Sequence, residues 1–230
     1  MTHTDLTRQA KALEVHRRLA QSFGDQHQRS GLDAIAQLVS TILSQNTNDM
    51  LRDKAYDSLR QRFPSWEQVR DAPIEEVARA IQIAGLSQQK APAIQRALRR
   101  ISAERGELSL DFLRDMPLEE AKQWLTSIKG VGPKTAAIIL LFALDRPAFP
   151  VDTHIHRVTR RLGLLPANAS REKAHELLEE LFPPEAYYPI HLNLIRHGRE
   201  VCQARRPRCE VCILRDLCDY YRDSVKVLPA

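Results

Sequence analysis

The stretch LTSIKGVGPKTA, residues 125–136, decides the fold predicted for this chain of 230 residues. Apolar residues at helical spacing end at Ile128, a Gly-Val-Gly turn follows, and Pro133 suits the first position of a new helix. Gly130 and Gly132 allow a tight turn and the close approach of a phosphate, which the turn amides and the helix dipole attract. The stretch therefore predicts a helix-hairpin-helix, which either grips a phosphate backbone or is a plain corner between two helices.

Helical periodicity recurs over most of the remaining sequence, whereas the alternation typical of strands is hard to find. Asp33 precedes one apolar stripe, and Ser170 is placed to cap a later helix. Ser65 and Gln68 have the spacing of a capping box. Pro92 stands before another stripe, where a proline at a helix start does no harm. The predicted fold class is all-α.

Two polar breaks, at residues 24–31 and 145–147, divide the sequence. We expect residues 26–146 to form a helical barrel domain that carries the hairpin. Residues 1–25 and 147–230 are expected to form a second domain, which contains all the cysteines. The chain is long enough for each domain to bury a core of its own.

Composition narrows the class of protein. Hydrophobic residues make up 43% and charged residues 27%, as in an ordinary globular chain. The 34 Lys and Arg against 29 Asp and Glu give a net charge of +5, which modestly favours a polyanionic partner. Residues 1–12 lack the apolar core of a secretory signal, and the most apolar run, residues 136–144, is too short to cross a bilayer. We expect a cytoplasmic protein without a membrane partner.

Four cysteines lie close together in the sequence, which indicates a metal site rather than a set of disulfides. They are Cys202, Cys209, Cys212 and Cys218. Structural zinc sites typically pair two Cys-x2-Cys knuckles, and only Cys209 and Cys212 form one here. The longer gaps suit a larger iron–sulfur cluster wrapped by a single loop. Spacing alone leaves zinc and iron–sulfur both open.

Two further residues have the chemistry of a catalytic pair. Lys134 follows the hairpin turn directly, and Asp152 lies in the segment FPVDTHIHRV, residues 149–158. Each has a simpler interpretation. Lys134 can be a phosphate contact or a solvated lysine, and Asp152 can cap a helix that carries Ile155 and Val158.

Taken together, these motifs resemble the endonuclease III family of the helix-hairpin-helix DNA glycosylase superfamily. The motifs are GVGPKTA at residues 130–136, VDTH at residues 151–154 and the spacing of the four cysteines. A fourth motif, LSQNT at residues 43–47, stands where the family has a DNA-probing loop. The likeness covers roughly residues 30–220. It implies a two-lobed all-α fold with a six-helix barrel lobe and an iron–sulfur cluster lobe, and it selects [4Fe–4S] as the cofactor.

The resemblance also implies an activity, that of a bifunctional DNA glycosylase and AP lyase of base excision repair. Lys134 would attack the sugar C1′ of an oxidised pyrimidine nucleotide in duplex DNA, form a Schiff base and cut the strand by β-elimination. The attack needs a neutral amine, which a helix N-terminus and partial desolvation favour. Asp152 would help to deprotonate the amine and stabilise positive charge on the sugar.

The resemblance assigns DNA contacts to two residues outside the hairpin. Gln45 would fill the gap left by the extruded nucleotide, and Leu86 would be a wedge in the opposite strand. Their simpler interpretations are a helix cap for Gln45 and ordinary core for Leu86.

The residues themselves predict the other DNA contacts. In the hairpin these are Gly130, Val131 and Gly132, with Lys129 adding charge beside the phosphate site. In the first cysteine gap they are Arg205, Arg206 and Arg208, which a cluster would hold rigidly and whose alternative interpretation is a solvated patch.

The sequence departs from the family pattern at two places. Lys129 stands where the family commonly has Pro, and the probing loop reads Ser-Gln-Asn-Thr, so the alignment around Gln45 can slip by one. The expected partner is double-stranded DNA with damaged bases or abasic sites, bound by a nucleoid-associated monomer. The alternatives are a mismatch-specific or monofunctional glycosylase and a non-catalytic helix-hairpin-helix DNA-binding protein, in which replacing Lys134 would cost only affinity.

Overall fold

The computed structural model describes residues 3–25 and 31–225, and every regular element in those ranges is helical. This confirms the predicted all-α class. The α-helices are α1 (His3–Phe23), α2 (Ala34–Leu43), α3 (Asp49–Arg62), α4 (Trp66–Asp71), α5 (Ile74–Ala80), α6 (Ser87–Arg105), α7 (Leu118–Thr126), α8 (Pro133–Ile138), α9 (Thr153–Arg161), α10 (Arg171–Leu181) and α11 (Tyr187–Glu200). Short 3-10 helices occupy Gln82–Ala84, Asp111–Arg114, Pro184–Ala186, Cys209–Val211 and Arg215–Leu217, and π-helical turns occupy Ile139–Ala143 and Tyr221–Val225.

The predicted helix starts at Asp33, Ser65 and Ser170 are confirmed. The Asp33 carboxylate accepts a 2.7 Å hydrogen bond from the amide of Ala36. Ser65 forms the complete capping box with its partner three residues later, and the Ser170 side chain caps α10. Each cap satisfies an amide that the helix itself leaves unpaired, which typically stabilises a helix by about 1 kcal/mol.

The predicted helix start at Pro92 is wrong, because Pro92 lies inside α6. The helix begins earlier, at Ser87, after a residue with left-handed backbone. A proline at position 92 cannot donate to the carbonyl of Gln88, four residues earlier. Gln88 is exposed in the first turn of the helix, so water can satisfy that carbonyl.

The chain divides into two compact units, residues 29–146 and residues 1–28 with 147–230. In the first unit, which contains α2 to α8, the organising element is α2. All ten residues of α2 are buried, and the helix packs against α3, α6 and α8. Most of its residues are apolar, and its buried polar residues Gln37, Ser40 and Thr41 share one side of the helix, where Gln37 and Thr41 hydrogen-bond to each other.

The second unit is built around α11, which packs on α1 and α9. Phe149 is fully buried, lies parallel to Phe182 at 5.7 Å between ring centroids and meets Tyr187 edge-on. His191 and His197 are buried within this unit. None of the helices in the described ranges is long and apolar enough to span a membrane.

Candidate functional site

The hairpin has the geometry that the sequence predicts. The first helix, α7, is followed by buried Ile128, whose carbonyl accepts the amide of buried Val131 at 2.9 Å. Gly130 has φ +99°, a conformation that a residue with a side chain rarely adopts. Pro133 is the first residue of α8. The two apolar side chains therefore anchor the turn from inside.

The sequence indicates that both glycines allow the tight turn, but the turn requires a glycine only at position 130 and not at position 132. Its backbone, φ −91° and ψ 177°, is ordinary extended backbone that any residue adopts. A Cβ built at Gly132 would meet no atom of the chain within 4 Å. Neither backbone conformation nor crowding within the chain explains a glycine here.

Lys134 is the second residue of α8, and its side chain is exposed. The following residues Thr135 and Ala136 are buried, so the helix is fixed to the core while Lys134 and Lys129 lie at the surface. The expectation of partly desolvated surroundings for Lys134 is not met in the protein by itself.

Gln45 lies beside the hairpin. The residue is exposed in the loop between α2 and α3, and its Nε2 donates to the carbonyl of Gly130 at 3.4 Å. The next residue, Asn46, has φ +53°. The helix-cap interpretation is wrong, because Ser44 is the C-cap of α2 and the Gln45 side chain contacts the hairpin instead.

Leu86 lies at the start of α6 and is 46% exposed, so it is not an ordinary core residue. Its φ of +51° is unusual for a leucine, and it follows Gly85, which also has positive φ. Left-handed backbone at a residue other than glycine costs energy and is typically retained where a site needs it. The structure thus presents an apolar side chain to the surface on a strained backbone.

Asp152 is the N-cap of α9. Its Oδ1 accepts the amide of Ile155 at 2.7 Å, and the side chain is half-buried. The capping interpretation from sequence is therefore confirmed. A cap holds the carboxylate in one orientation, and Oδ2 is not the atom used for it.

The four cysteines meet at one place. They are half-buried free thiols. All four line a single open pocket of about 370 Å³, together with Val158, Arg161, Leu162, His197, Val201, Pro207, Arg208, Arg215, Tyr220 and Tyr221. Four sulfur donors around one pocket fit the ligand set of an iron–sulfur cluster.

Burial and the neighbouring thiols both disfavour ionisation of these cysteines. Burial raises the pKa of Cys212 to about 11 and also raises the pKa values of Cys209 and Cys218. The neighbouring thiols add to each shift, because a second thiolate is harder to form beside the first. Such thiols ionise near neutral pH only where a metal stabilises the thiolates.

Two arginines of α9 hold the cysteine loop, a role that sequence analysis missed. Arg161 donates to Cys202 Sγ at 3.3 Å and to the carbonyls of Gln203 and Ala204 at 2.7 and 2.9 Å. Arg157 donates through Nε to the Cys202 carbonyl at 3.0 Å. The partners lie more than forty residues apart in sequence, so no local pattern predicts them.

The C-terminal half of α1 also contacts this loop. Arg18 donates to both carboxylate oxygens of Asp216, at 2.5 and 2.9 Å, and to the carbonyl of Ile213 at 3.0 Å. The three arginines of the first cysteine gap, by contrast, are exposed; they are Arg205, Arg206 and Arg208. The loop is therefore held by contacts from α1 and α9 and exposes three basic side chains to solvent.

Comparison with known proteins places these features in one family. The HhH-GPD superfamily of base excision DNA repair proteins matches residues 39–184, and the iron–sulfur binding domain of endonuclease III matches residues 202–218. The second match spans all four cysteines. The two family matches therefore cover the hairpin, Asp152 and the cysteine loop.

Individual proteins similar to this chain belong to the same family as the two family matches indicate. An endonuclease III of Sulfolobus acidocaldarius is 34% identical over 84% of this chain and 85% of its own length. A candidate DNA glycosylase of Arabidopsis thaliana is 37% identical over 78% of this chain, which spans only 60% of that longer protein. A solved structure of endonuclease III trapped as a covalent intermediate with DNA is 27% identical, with a TM-score of 0.81 over 93% of this chain and 97% of that one. The chain therefore belongs to the endonuclease III family of helix-hairpin-helix base excision repair glycosylases, whose cofactor is a [4Fe–4S] cluster.

Proposed function

We propose that the protein is a bifunctional DNA glycosylase and AP lyase that removes oxidised pyrimidines from duplex DNA. The observation that carries the proposal is an exposed lysine, Lys134, in the first turn of the helix that follows the hairpin. A phosphate held by the turn amides would bring a DNA backbone next to this amine. That a relative of this fold has been trapped covalently on DNA supports the same chemistry.

The proposed reaction begins at Lys134 Nζ. The neutral amine attacks C1′, the bond between C1′ and the base breaks, and the base leaves with the bonding electron pair and takes up a proton. Opening of the sugar gives a Schiff base. Loss of a C2′ proton then expels the 3′ phosphate, and water hydrolyses the imine to return the free lysine. Because Lys134 is exposed in the protein alone, desolvation of its amine is assigned to bound DNA.

Asp152 is proposed to be the carboxylate of the reaction. Its Oδ1 is engaged by the α9 amide of Ile155, which fixes the direction of the group. The remaining oxygen can then accept the proton of the attacking amine and stabilise positive charge that grows on the sugar. The cap thus gives the carboxylate a fixed position before DNA arrives.

Extrusion of the damaged nucleotide is assigned to the two exposed loop residues. Gln45 is proposed to occupy the gap left in the duplex, and Leu86 to separate the opposite strand. The hydrogen bond from Gln45 to the Gly130 carbonyl supports this proposal, because it holds the Gln45 side chain beside the hairpin turn. Lys129 and the backbone at Val131 and Gly132 complete the proposed phosphate contacts.

The cluster is proposed to be held by Cys202, Cys209, Cys212 and Cys218. When bound, it supplies a rigid cross-link rather than a reacting group. The chain's own contribution is the fixed loop, because Arg161 and Arg157 bind its backbone. Its exposed arginines are proposed to contact DNA phosphates, since a fixed arginine loses less entropy on binding than a mobile one.

End-labelled duplexes test this function. The holoenzyme is incubated with DNA containing thymine glycol, a G·T mismatch or no lesion, and strand breaks are scored with and without hot alkali. We expect cleavage at thymine glycol without alkali and none in undamaged DNA. Breaks that need alkali indicate a monofunctional glycosylase, breaks confined to the mismatch indicate a mismatch enzyme, and binding without any break indicates a non-catalytic protein; each would contradict the proposal.

A further inference from the structure

Lys90 is a buried lysine that the catalytic scheme does not use. It lies on α6 and is only 3% exposed. Its Nζ donates to the carbonyl of Leu43 at 2.8 Å and to the carbonyl of Ala84 at 2.9 Å. Both hydrogen bonds described for this ammonium therefore end on backbone carbonyls rather than on a carboxylate.

The two carbonyls belong to the loops proposed to probe DNA. Leu43 is the last residue of α2 and is followed by Ser44 and Gln45. Ala84 closes the 3-10 helix and is followed by Gly85 and Leu86. One ammonium thus joins the backbones of both loops, two residues before each exposed side chain.

Both loops also carry left-handed backbone at a residue other than glycine. Asn46 has φ +53° and Leu86 has φ +51°. Asparagine adopts this conformation readily, whereas for leucine it is strained and persists only where the surroundings determine it. The hydrogen bond from Lys90 to the Ala84 carbonyl holds the backbone just before Leu86 and helps to determine that conformation.

Burying an ammonium without a carboxylate is costly. Burial lowers the pKa of Lys90, which means that the protein stabilises its charged form less well than water does. A methionine of similar length would avoid this cost in a purely structural position. The orphan carbonyls at the C-terminal end of α2 favour a cation.

We propose that Lys90 is a positioning residue for base extrusion, which holds the Gln45 loop and the Leu86 loop at the spacing needed to enter DNA together. The inference rests on the proposed function, because it requires Gln45 and Leu86 to act on the duplex. It extends that function by naming the internal residue that couples the two loops.

Gln95 offers a matched control on the same helix. It is buried, and its Nε2 donates to two backbone carbonyls, those of Val69 at 2.9 Å and Ala72 at 2.8 Å. These carbonyls lie at the end of α4, not in the Gln45 or Leu86 loops. Gln95→Met and Lys90→Met therefore each remove two hydrogen bonds that α6 donates to backbone carbonyls. Gln95→Met also removes the 3.4 Å bond that its Oε1 accepts from Arg99, so the control variant loses at least as many contacts. Only Lys90→Met releases the proposed DNA-probing loops.

The experiment compares two single-turnover rates for each holoenzyme, normalised to the fraction of protein that borohydride can trap on abasic DNA. One rate is base release from duplex thymine glycol, which needs extrusion. The other is strand cleavage at an abasic site in single-stranded DNA, which needs none. For Lys90→Met we expect the ratio of the first rate to the second to fall by at least about tenfold, the order lost when positioning fails. For Gln95→Met we expect the ratio to stay within about twofold of wild type.

An unchanged ratio in Lys90→Met, or an equal fall in Gln95→Met, overturns the inference while leaving the proposed function intact. A wild-type protein without either activity overturns the proposed function and this inference with it. If Lys90→Met does not fold, Lys90→Gln decides the matter. Its amide is neutral and shorter and can reach one carbonyl, so the ratio should fall by about threefold or more, and an unchanged ratio again overturns the inference.

Discussion

Arg161 Nη1 lies 3.3 Å from Cys202 Sγ, and the same guanidinium donates to the two carbonyls that follow this cysteine. The Cζ atom of Arg161 lies 4.6 Å from the ring centroid of Tyr220, at the other end of the cysteine loop. A single side chain of α9 therefore binds the loop at its start and near its end. We regard Arg161 as the residue that prepares the loop for its cluster.

Replacement of Arg161 by methionine is expected to loosen this loop. Charge-assisted hydrogen bonds are worth about 1.5–3 kcal/mol each when buried, and less here because the side chain is half-exposed. The cluster should be lost several times faster in the presence of an iron chelator, followed as bleaching of its visible absorbance. The neighbouring Arg160→Met, at an exposed position, is the control and should match wild type. Equal bleaching rates in all three proteins would contradict this role.

The two hairpin glycines should separate folding from DNA binding. A side chain at Gly132 meets no atom of the chain, so Gly132→Ala should change stability by less than about 0.5 kcal/mol. If a phosphate binds there, affinity for duplex DNA should still fall by about tenfold, since the methyl group blocks close approach. Gly130→Ala, at φ +99°, should instead destabilise the fold by about 1–3 kcal/mol. Thermal unfolding and fluorescence anisotropy measure the two effects, and wild-type DNA affinity in Gly132→Ala would exclude the phosphate contact.

Asp152 has two assigned roles, which two substitutions distinguish. Asn is as good an N-cap as Asp, so Asp152→Asn should keep the wild-type melting temperature, whereas Asp152→Ala should lose about 1 kcal/mol. Both variants should release the damaged base at least about a hundredfold more slowly, because neither carries a carboxylate. Single-turnover base release is the measurement. A fully active Asp152→Asn would reduce Asp152 to a structural cap.

The stability of the second unit should fall in mild acid. His16 Nδ1 is buried, with no hydrogen-bond partner among the described residues, and burial lowers the pKa of His16 below its ordinary 6.5. Between the folded-state pKa of His16 and about 6.5 the unfolded chain binds the proton and the folded chain does not, so the free energy of unfolding decreases as pH falls through this window.

Melting temperatures at about pH 7 and about pH 5 test this linkage, because the two values lie on either side of the pKa of an unfolded histidine. The wild-type protein should melt at lower temperature at the lower pH. In His16→Gln, which cannot gain that charge, the decrease should be smaller. An identical decrease in both proteins would show that His16 does not contribute.

Much of the fold and part of the site could be predicted from sequence, for physical reasons that differ between residues. The caps at Asp33 and Ser65 were predictable because their partners lie three residues away. The helix start predicted at Pro92 was wrong because a proline close to the solvated first turn of a helix destabilises it little. The roles of Lys90 and Arg161 were missed because their hydrogen-bond partners are distant in sequence. Neither composition nor helical periodicity predicts that a lysine is buried or that an arginine binds a distant loop.

Gly198 is another residue whose role depends on a contact distant in sequence, because a glycine is needed there only for the packing of two helices. A Cβ there would lie 2.9 Å from the Cβ of His154, so α9 and α11 can approach this closely only because the side chain is absent. No turn or positive φ marks the position in sequence. Close packing depends on two helices that are distant in sequence, so the sequence around Gly198 alone does not predict it.

Trapping the reaction intermediate tests the central claim, that Lys134 is the nucleophile. The holoenzyme is incubated with duplex thymine glycol DNA in the presence of borohydride, and the cross-linked peptide is identified by mass spectrometry. The account predicts a stable adduct on Lys134, and none in Lys134→Gln, while Lys129→Gln, the other exposed lysine of the hairpin, still forms the adduct. An adduct on a different residue, or no adduct despite release of the base, would contradict the lysine mechanism.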